Sequence, residues 1–235
     1  MADLALALRD VVFAYPGRDG FALTCPALTV EAGERVLLLG PSGAGKSTLL
    51  GLICGILAPS AGQVEVAGTD LSRLSAGARD RFRAERIGIV FQMFNLLPYA
   101  TALDNIRLAL AFAPERRRRV EGRDRAEALR LAAALGLDEA VVAAPAGRLS
   151  VGQQQRVAVA RALIGSPRLV VADEPTSALD ASAQAAFLDV LAAQTSAAHA
   201  GLLMVSHDAR LAPQFDRVVA LTDIVRTERA GARAA

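Results

Sequence analysis

The sequence predicts an α/β fold: a mostly parallel core sheet flanked by helices on both faces, with a helical lobe inserted near its middle. Three observations carry that expectation. Short apolar runs alternate with helix-period segments along most of the chain. A glycine-rich loop stands between one such run, Arg35 to Gly40, and an apolar helix that starts at Lys46. Another apolar run, Arg168 to Ala172, ends in two adjacent acids, Asp173 and Glu174.

In chain order, partial alternation predicts a strand from Leu4 to Tyr15, and the runs Arg35 to Gly40, Gln63 to Ala67 and Ile87 to Phe91 predict three more. From Leu103 to about Leu135 the pattern turns helical, with Arg/Glu-rich faces and Ala/Leu stripes, until Pro145-Ala146-Gly147 breaks it. A helix over Val151 to Ile164 follows, then a strand over Leu169 to Ala172 and a helix from Ala181 to about Ala193. Strands over Leu202 to Ser206 and Arg217 to Leu221 complete the pattern, and the polar tail from Arg226 reads as loose. No internal repeat is visible, so residues 1–235 read as one domain. Its core would comprise 1–92 and 156–225, its helical lobe 93–155 and its tail 226–235.

Composition narrows the class. A chain of 235 residues can bury one sizeable core. A net charge of +2 is too mild to argue for nucleic acid. Residues 47–64 are free of charge, but their apolar centre, Leu49 to Ala58, is too short to cross a bilayer and reads as a buried helix. Met1-Ala2-Asp3-Leu4 begins no basic-then-apolar leader. Cys25 and Cys54 have no CxxC spacing and read as reduced core residues. The basic run Arg116 to Arg119 reads as a solvated face. Lys46 is the only lysine among 26 basic residues, so a compact ammonium is used at one position alone.

That lysine lies in Gly40-Pro41-Ser42-Gly43-Ala44-Gly45-Lys46-Ser47, which fits the phosphate-loop pattern GxxxxGK[ST] between a strand and a helix. Glycines let successive N–H groups curl round a phosphate chain, and the helix N-terminus adds free donors. Lys46 would reach the β- and γ-phosphates and Ser47 would ligate Mg²⁺. At the acidic strand end, Asp173 would help hold the metal while Glu174 polarises an attacking water as general base. Leu149-Ser150-Val151-Gly152-Gln153 also carries a capping box, Ser-x-x-Gln, at the start of its helix.

With these motifs in order, the chain resembles the ATP-binding subunits of ABC transporters over nearly its whole length. The resemblance implies the P-loop NTPase cassette of that family, with an antiparallel β subdomain beside the parallel core. It also implies ATP and Mg²⁺ as cofactors. In the family pattern Tyr15 stacks on adenine, Gly40 to Thr48 cradle the phosphates, and Gln92 touches Mg²⁺ or the attacking water. Leu149 to Gln153 is the family signature, whose Ser150, Gly152 and Gln153 meet the γ-phosphate held by a second subunit. Ser177-Ala178-Leu179-Asp180 is the loop that communicates across the dimer, and His207 is the switch histidine at the γ-phosphate. His199 matches no motif and reads as structural.

The implied partners are a second copy of the chain, forming an ATP-sandwich homodimer, and integral-membrane permease subunits. No nucleic acid is implied, and the place would be the cytoplasmic face of the plasma membrane. Phe91-Gln92-Met93-Phe94-Asn95-Leu96-Leu97-Pro98 and Thr101-Ala102-Leu103-Asp104-Asn105-Ile106 resemble the subgroup that drives lipoprotein release and macrolide-type efflux. A polar amino-acid importer, which Ser177-Ala178 resembles, and a regulatory or cell-division ATPase are the alternative readings. The chain departs from the family pattern at Val151, usually glycine; at Ser177-Ala178, where the subgroup has Gly-Asn; and at Ile224, where a turn glycine is usual.

Overall fold

The computed structural model describes residues 3–15, 21–41, 43–176, 179 and 181–229. In chain order its strands and helices are β1 (Leu4–Ala14), β2 (Phe21–Glu31), β3 (Arg35–Leu39), α1 (Lys46–Ile53), β4 (Ala61–Val66), β5 (Thr69–Asp70), α2 (Ala76–Arg86) and β6 (Ile87–Val90). The helical middle follows: α3 (Ala102–Ala111), α4 (Pro114–Arg119), α5 (Asp124–Ala134), α6 (Glu139–Ala143) and α7 (Val151–Leu163). The chain then forms β7 (Leu169–Asp173), α8 (Ala181–Ala197), β8 (Gly201–Ser206), β9 (Arg217–Ala220), α9 (Leu221–Ile224) and β10 (Arg226–Arg229).

Among the described residues the strands form two five-stranded sheets. One is parallel, in the order β6-β7-β8-β3-β9, and the other is antiparallel, in the order β10-β2-β1-β4-β5. The α/β architecture expected from the sequence is therefore present. Strand period sorts the parallel core into two apolar layers. Leu37, Val170, Ala172, Leu202 and Met204 face the helical side with α3, α5, α7 and α8. Their neighbours Val36, Leu38, Leu169, Val171, Leu203 and Val205 face α1 and the antiparallel sheet.

Several expectations are corrected. The polar stretch from Arg226 is not loose at its start: 226–229 form β10, paired antiparallel with 21–24 of β2. A backbone needs a ladder partner more than it needs apolar side chains, and β2 offered an open edge. Ile224 ends the single helical turn α9 that joins β9 to β10, so no turn glycine is needed there. β2 escapes a sequence reading because Pro26 interrupts it. The strand tolerates the proline because β10 stops at Thr24, leaving that part of β2 an edge. The helical stretch from Leu103 divides into α3, α4 and α5, with Pro114 in the first turn of α4. The helix expected to end near Ala193 runs on to Ala197.

The basic run is a solvated face only in part: Arg117, Arg118 and Arg119 are exposed, as expected, but Arg116 is not. Arg116 is 2% exposed; its Nε donates to the Ile164 carbonyl at 2.8 Å and its Nη2 to that of Ala162 at 2.7 Å. Arg119 donates to the Gly165 and Ser166 carbonyls. The C-terminus of α7 leaves carbonyls without helical partners, and these two side chains satisfy them. Burial pushes the Arg116 guanidinium down to about 10. Cys25 and Cys54 are free and buried, as expected, and burial raises both thiols. No helix among the described residues is long and apolar enough to cross a membrane.

α7 lies hard against the sheet at Gly88, where a β-carbon would sit 2.4 Å from the Ala162 carbonyl oxygen. Gly88→Ala should therefore destabilise the fold by about 1–3 kcal/mol or more, as overpacking against backbone does, read as a lower urea midpoint. Two ion pairs tie the strand starts together: Arg35 with Asp216 at 2.7 Å and Arg217 with Glu34 at 2.7 Å. The Arg35 hydrogen bond holds Asp216 below its ordinary 3.8. Burial alone would lift Glu34, but its bonds from Arg217 and the Glu31 amide hold it below 4.5. Carboxyls lowered by folding stabilise above their unfolded values and cease to do so as pH falls through the folded ones. The unfolding midpoint should decline as pH drops below these ordinary values, and Asp216→Asn should flatten that decline.

Candidate functional site

Parallel pairing puts the C-terminal ends of β6, β7, β8 and β3 on one edge of the sheet, where α/β proteins build ligand sites. Gly40 follows β3, Gln92 lies two residues beyond β6, Asp173 ends β7 with Glu174 next to it, and His207 follows β8. A cleft of about 400 Å³ at this edge is lined by Gly43, Gly45, Lys46, Ser47, Thr48, Gln92, Asp173, Glu174 and Phe21. Phe21 escaped the sequence reading. Tyr15 packs against it with ring centres 5.8 Å apart, and the Tyr15 hydroxyl lies 3.2 Å from Thr48 Oγ1.

The described part of the loop before α1 turns on two glycines. Gly43 and Gly45 have φ of 81° and 93°, a left-handed region that glycine enters freely. Gly45 is the N-cap of α1 and supplies no side-chain acceptor, so the first amides of the helix keep their donors for a ligand. Ala44 sits between these glycines, half-buried, and Ser47 is exposed. Gly40 cannot carry a side chain, because a β-carbon there would meet Leu221 of α9 at 2.9 Å. Lys46 is 9% exposed, and its ammonium donates to the Gly40 carbonyl at 3.1 Å and to the Glu174 carboxylate. Ser42 and Asp180 lie outside the described residues, as do Ser177 and Ala178.

Glu174 joins two of these groups. One carboxylate oxygen accepts from Lys46, and the other lies 2.9 Å from His207 Nδ1. Burial alone would raise this acid, but the Lys46 bond and charge, with His207, hold it below 4.5. Asp173 goes the other way: burial and then the neighbouring Glu174 charge raise it above 3.8, against the pull of Lys46. Adjacent acids pushed in opposite directions are a functional-site signature. Glu174 also has φ of 43°, a backbone state that costs a non-glycine residue about 1–3 kcal/mol. Its amide donates to the Val205 carbonyl at 2.9 Å, which extends the β7–β8 ladder into the site.

Ser150, Gly152 and Gln153 are not brought into this cleft. They form the N-terminus of α7, where Ser150 is exposed and Gly152 and Gln153 are half-buried, and Gly152 lines a different cavity together with Leu179 and Phe187. Ser150 Oγ accepts from the Gln153 amide at 3.3 Å, and Gln153 Oε1 accepts from the Ser150 amide at 2.9 Å, closing the capping box. Val151 is the first helical residue, 49% exposed, with no positive φ. The backbone there has no need of the usual glycine. Gln155, which the sequence reading passed over, is 1% exposed and donates to the Pro175 carbonyl beside Glu174. Helical period was the available signal, since Gln155 shares a face with buried Ala158, Val159 and Ala162.

Comparison with known proteins gives this geometry a family. The chain is 47% identical over 197 residues to the lipoprotein-releasing system ATP-binding protein LolD of Anaeromyxobacter dehalogenans, covering 83% of this chain and 80% of that one. It is 41% identical over 196 residues to the macrolide export ATP-binding/permease protein MacB of Rhodopirellula baltica, again over 83% of this chain, but it spans only 28% of that protein's length. Among solved structures, the dimeric post-hydrolysis state of the ATP-binding cassette MJ0796 bound to ADP and Pi superposes with a TM-score of 0.78 at 31% identity, covering 95% of this chain and 98% of that one. The ABC transporter family pattern matches residues 23–177, and with the phosphate loop, acid pair and capped signature helix in place, the chain belongs to the ABC transporter family as one of its ATP-hydrolysing, nucleotide-binding cassettes.

Proposed function

We propose that this cassette works as an ATP-sandwich homodimer that drives a separate membrane permease of the lipoprotein-release or efflux type. One observation carries the reading. The chain gathers its phosphate loop and acid pair in one cleft, with His207 on the Glu174 carboxylate, yet holds its signature residues at a helix end outside that cleft. Two copies in an isologous pair would complete each other's sites. The capped N-terminus of α7 would then offer its free amides to the γ-phosphate held by the partner's Lys46.

Within each site, Glu174 acts as general base for the attacking water, and His207 holds both that carboxylate and the γ-phosphate. Ser47, Gln92 and Asp173 offer only oxygen donors at the cleft, the set a hard divalent cation prefers, so these residues fit Mg²⁺. The cation would supply charge neutralisation at the β- and γ-phosphates. Tyr15, with Phe13 and Phe21, forms an aromatic cluster beside the cleft that suits adenine stacking.

The permease half of the proposal rests on a second surface. Met93, Tyr99 and Phe112 are 81%, 79% and 69% exposed, in the segment that follows Gln92 and at the end of α3. Large apolar side chains left in water there suit a docking partner. The names of the LolD and MacB relatives support a partner in lipoprotein release or efflux.

Glu174→Gln should leave ATP binding intact, slow hydrolysis by about 10²–10⁴-fold, the usual worth of a general base, and accumulate an ATP-dependent dimer on size exclusion. A Glu174→Gln protein that stays monomeric with ATP would remove the sandwich reading. Lys46→Ala should weaken ATP binding by at least about tenfold through loss of the charge-assisted contacts, measured by calorimetry. Val151→Gly should change turnover by less than about threefold, because the helical backbone at this position makes no demand for glycine.

A further inference from the structure

The three glutamines after Gly152 do three different things. Gln153 closes the capping box, Gln154 donates to the Leu149 carbonyl at 2.9 Å, and Gln155 alone is buried, donating to the Pro175 carbonyl. Pro175 has no amide hydrogen, so the turn after Glu174 lacks one of its usual backbone anchors. The turn is instead held from two sides, by the Glu174 amide on Val205 and by Gln155 on Pro175. Between these anchors Glu174 sits at φ of 43°, a state that persists only where the surroundings impose it.

We propose that Gln155 is a positioning residue for hydrolysis, clamping the Glu174 turn to the signature helix of the same chain. The clamp rests on the sandwich reading for its wider consequence. The first turns of α7 present Ser150 and Gly152 to the partner's nucleotide, and the same turns hold Gln155 on the chain's own general base. Engagement of the signature at one site is thereby felt at Glu174 of the other. A rigid helix carries the coupling over a single hydrogen bond.

Gln155→Met tests the clamp, since it keeps most of the buried volume and removes the donor. The variant homodimer should lose at least about tenfold in kcat, as a misplaced reacting group does, while KM for ATP stays within about twofold and Tm changes little. Mixed dimers locate the effect, using a wild-type/Glu174→Gln dimer as reference. With Gln155→Met and Glu174→Gln on the same chain, the surviving base keeps its own clamp and activity should match the reference. With the two changes on opposite chains, the surviving base has lost its clamp and activity should fall. The reverse pattern, which would place Gln155 in support of the signature alone, overturns the proposal. If the reference dimer is itself inactive, the homodimer decides: a raised KM with intact kcat overturns the clamp. A readout independent of dimerisation is hydrogen exchange of the Glu174 amide in nucleotide-free protein. Faster exchange in Gln155→Met at unchanged Tm supports the clamp even if the sandwich reading fails, and unchanged exchange overturns it.

Discussion

The ion pair between Lys46 and Glu174 is the constraint around which the site is organised. Its members follow different strands, Lys46 opening the helix after β3 and Glu174 standing one residue beyond β7, with β8 between those strands. Both side chains are nearly buried, so neither charge is tolerable without the other and without further hydrogen bonds. Lys46 takes the Gly40 carbonyl and Glu174 takes His207, so the pair becomes a chain spanning the ends of three strands. Under the proposed function, a phosphate arriving in the cleft would compete with Glu174 for Lys46 and so free the carboxylate proposed as base.

This arrangement depends on the parallel sheet being buried on both faces. The alternation of Val36, Leu37 and Leu38 between the two apolar layers holds β3 in register with β8, and the same alternation in β7 and β8 fixes their ladder. A slip of one residue in β7 would exchange the layers and turn the acid pair away from Lys46. α7 is fixed as firmly at its far end, where Arg116 and Arg119 satisfy the carbonyls that its termination leaves open. Its other end stays exposed. One helix is therefore a wall of the core along most of its length and meets solvent at its start.

What was legible in the sequence was what backbone chemistry confines to few residue types. Positive φ at Gly43 and Gly45 confines the phosphate loop to glycines, and Ser-x-x-Gln announces a helix start, so these features could be read without a fold. The apolar strand ahead of Asp173 and Glu174 was visible for the same kind of reason, since a strand buried on both faces tolerates little else. Arg116 was not legible, and for Gln155 helical period could have shown burial but not the partner. Each is a polar residue in a polar run, and each is buried because an orphaned carbonyl from a distant segment needs a donor. β10 was missed on similar grounds, its polar residues drawn into the sheet by the open edge of β2.

The sequence by itself determined the chemistry this protein can hold: a glycine loop with a single lysine, an acid pair at a strand end, and a capped helix start. Tertiary structure decided which of these meet. It brought Lys46, Glu174 and His207 into one hydrogen-bonded chain, left Ser150 and Gly152 outside the cleft, and placed Gln155 between the two. The physical reason is that motif residues are selected by local backbone geometry, whereas partners are selected by which strand ends the sheet order brings side by side.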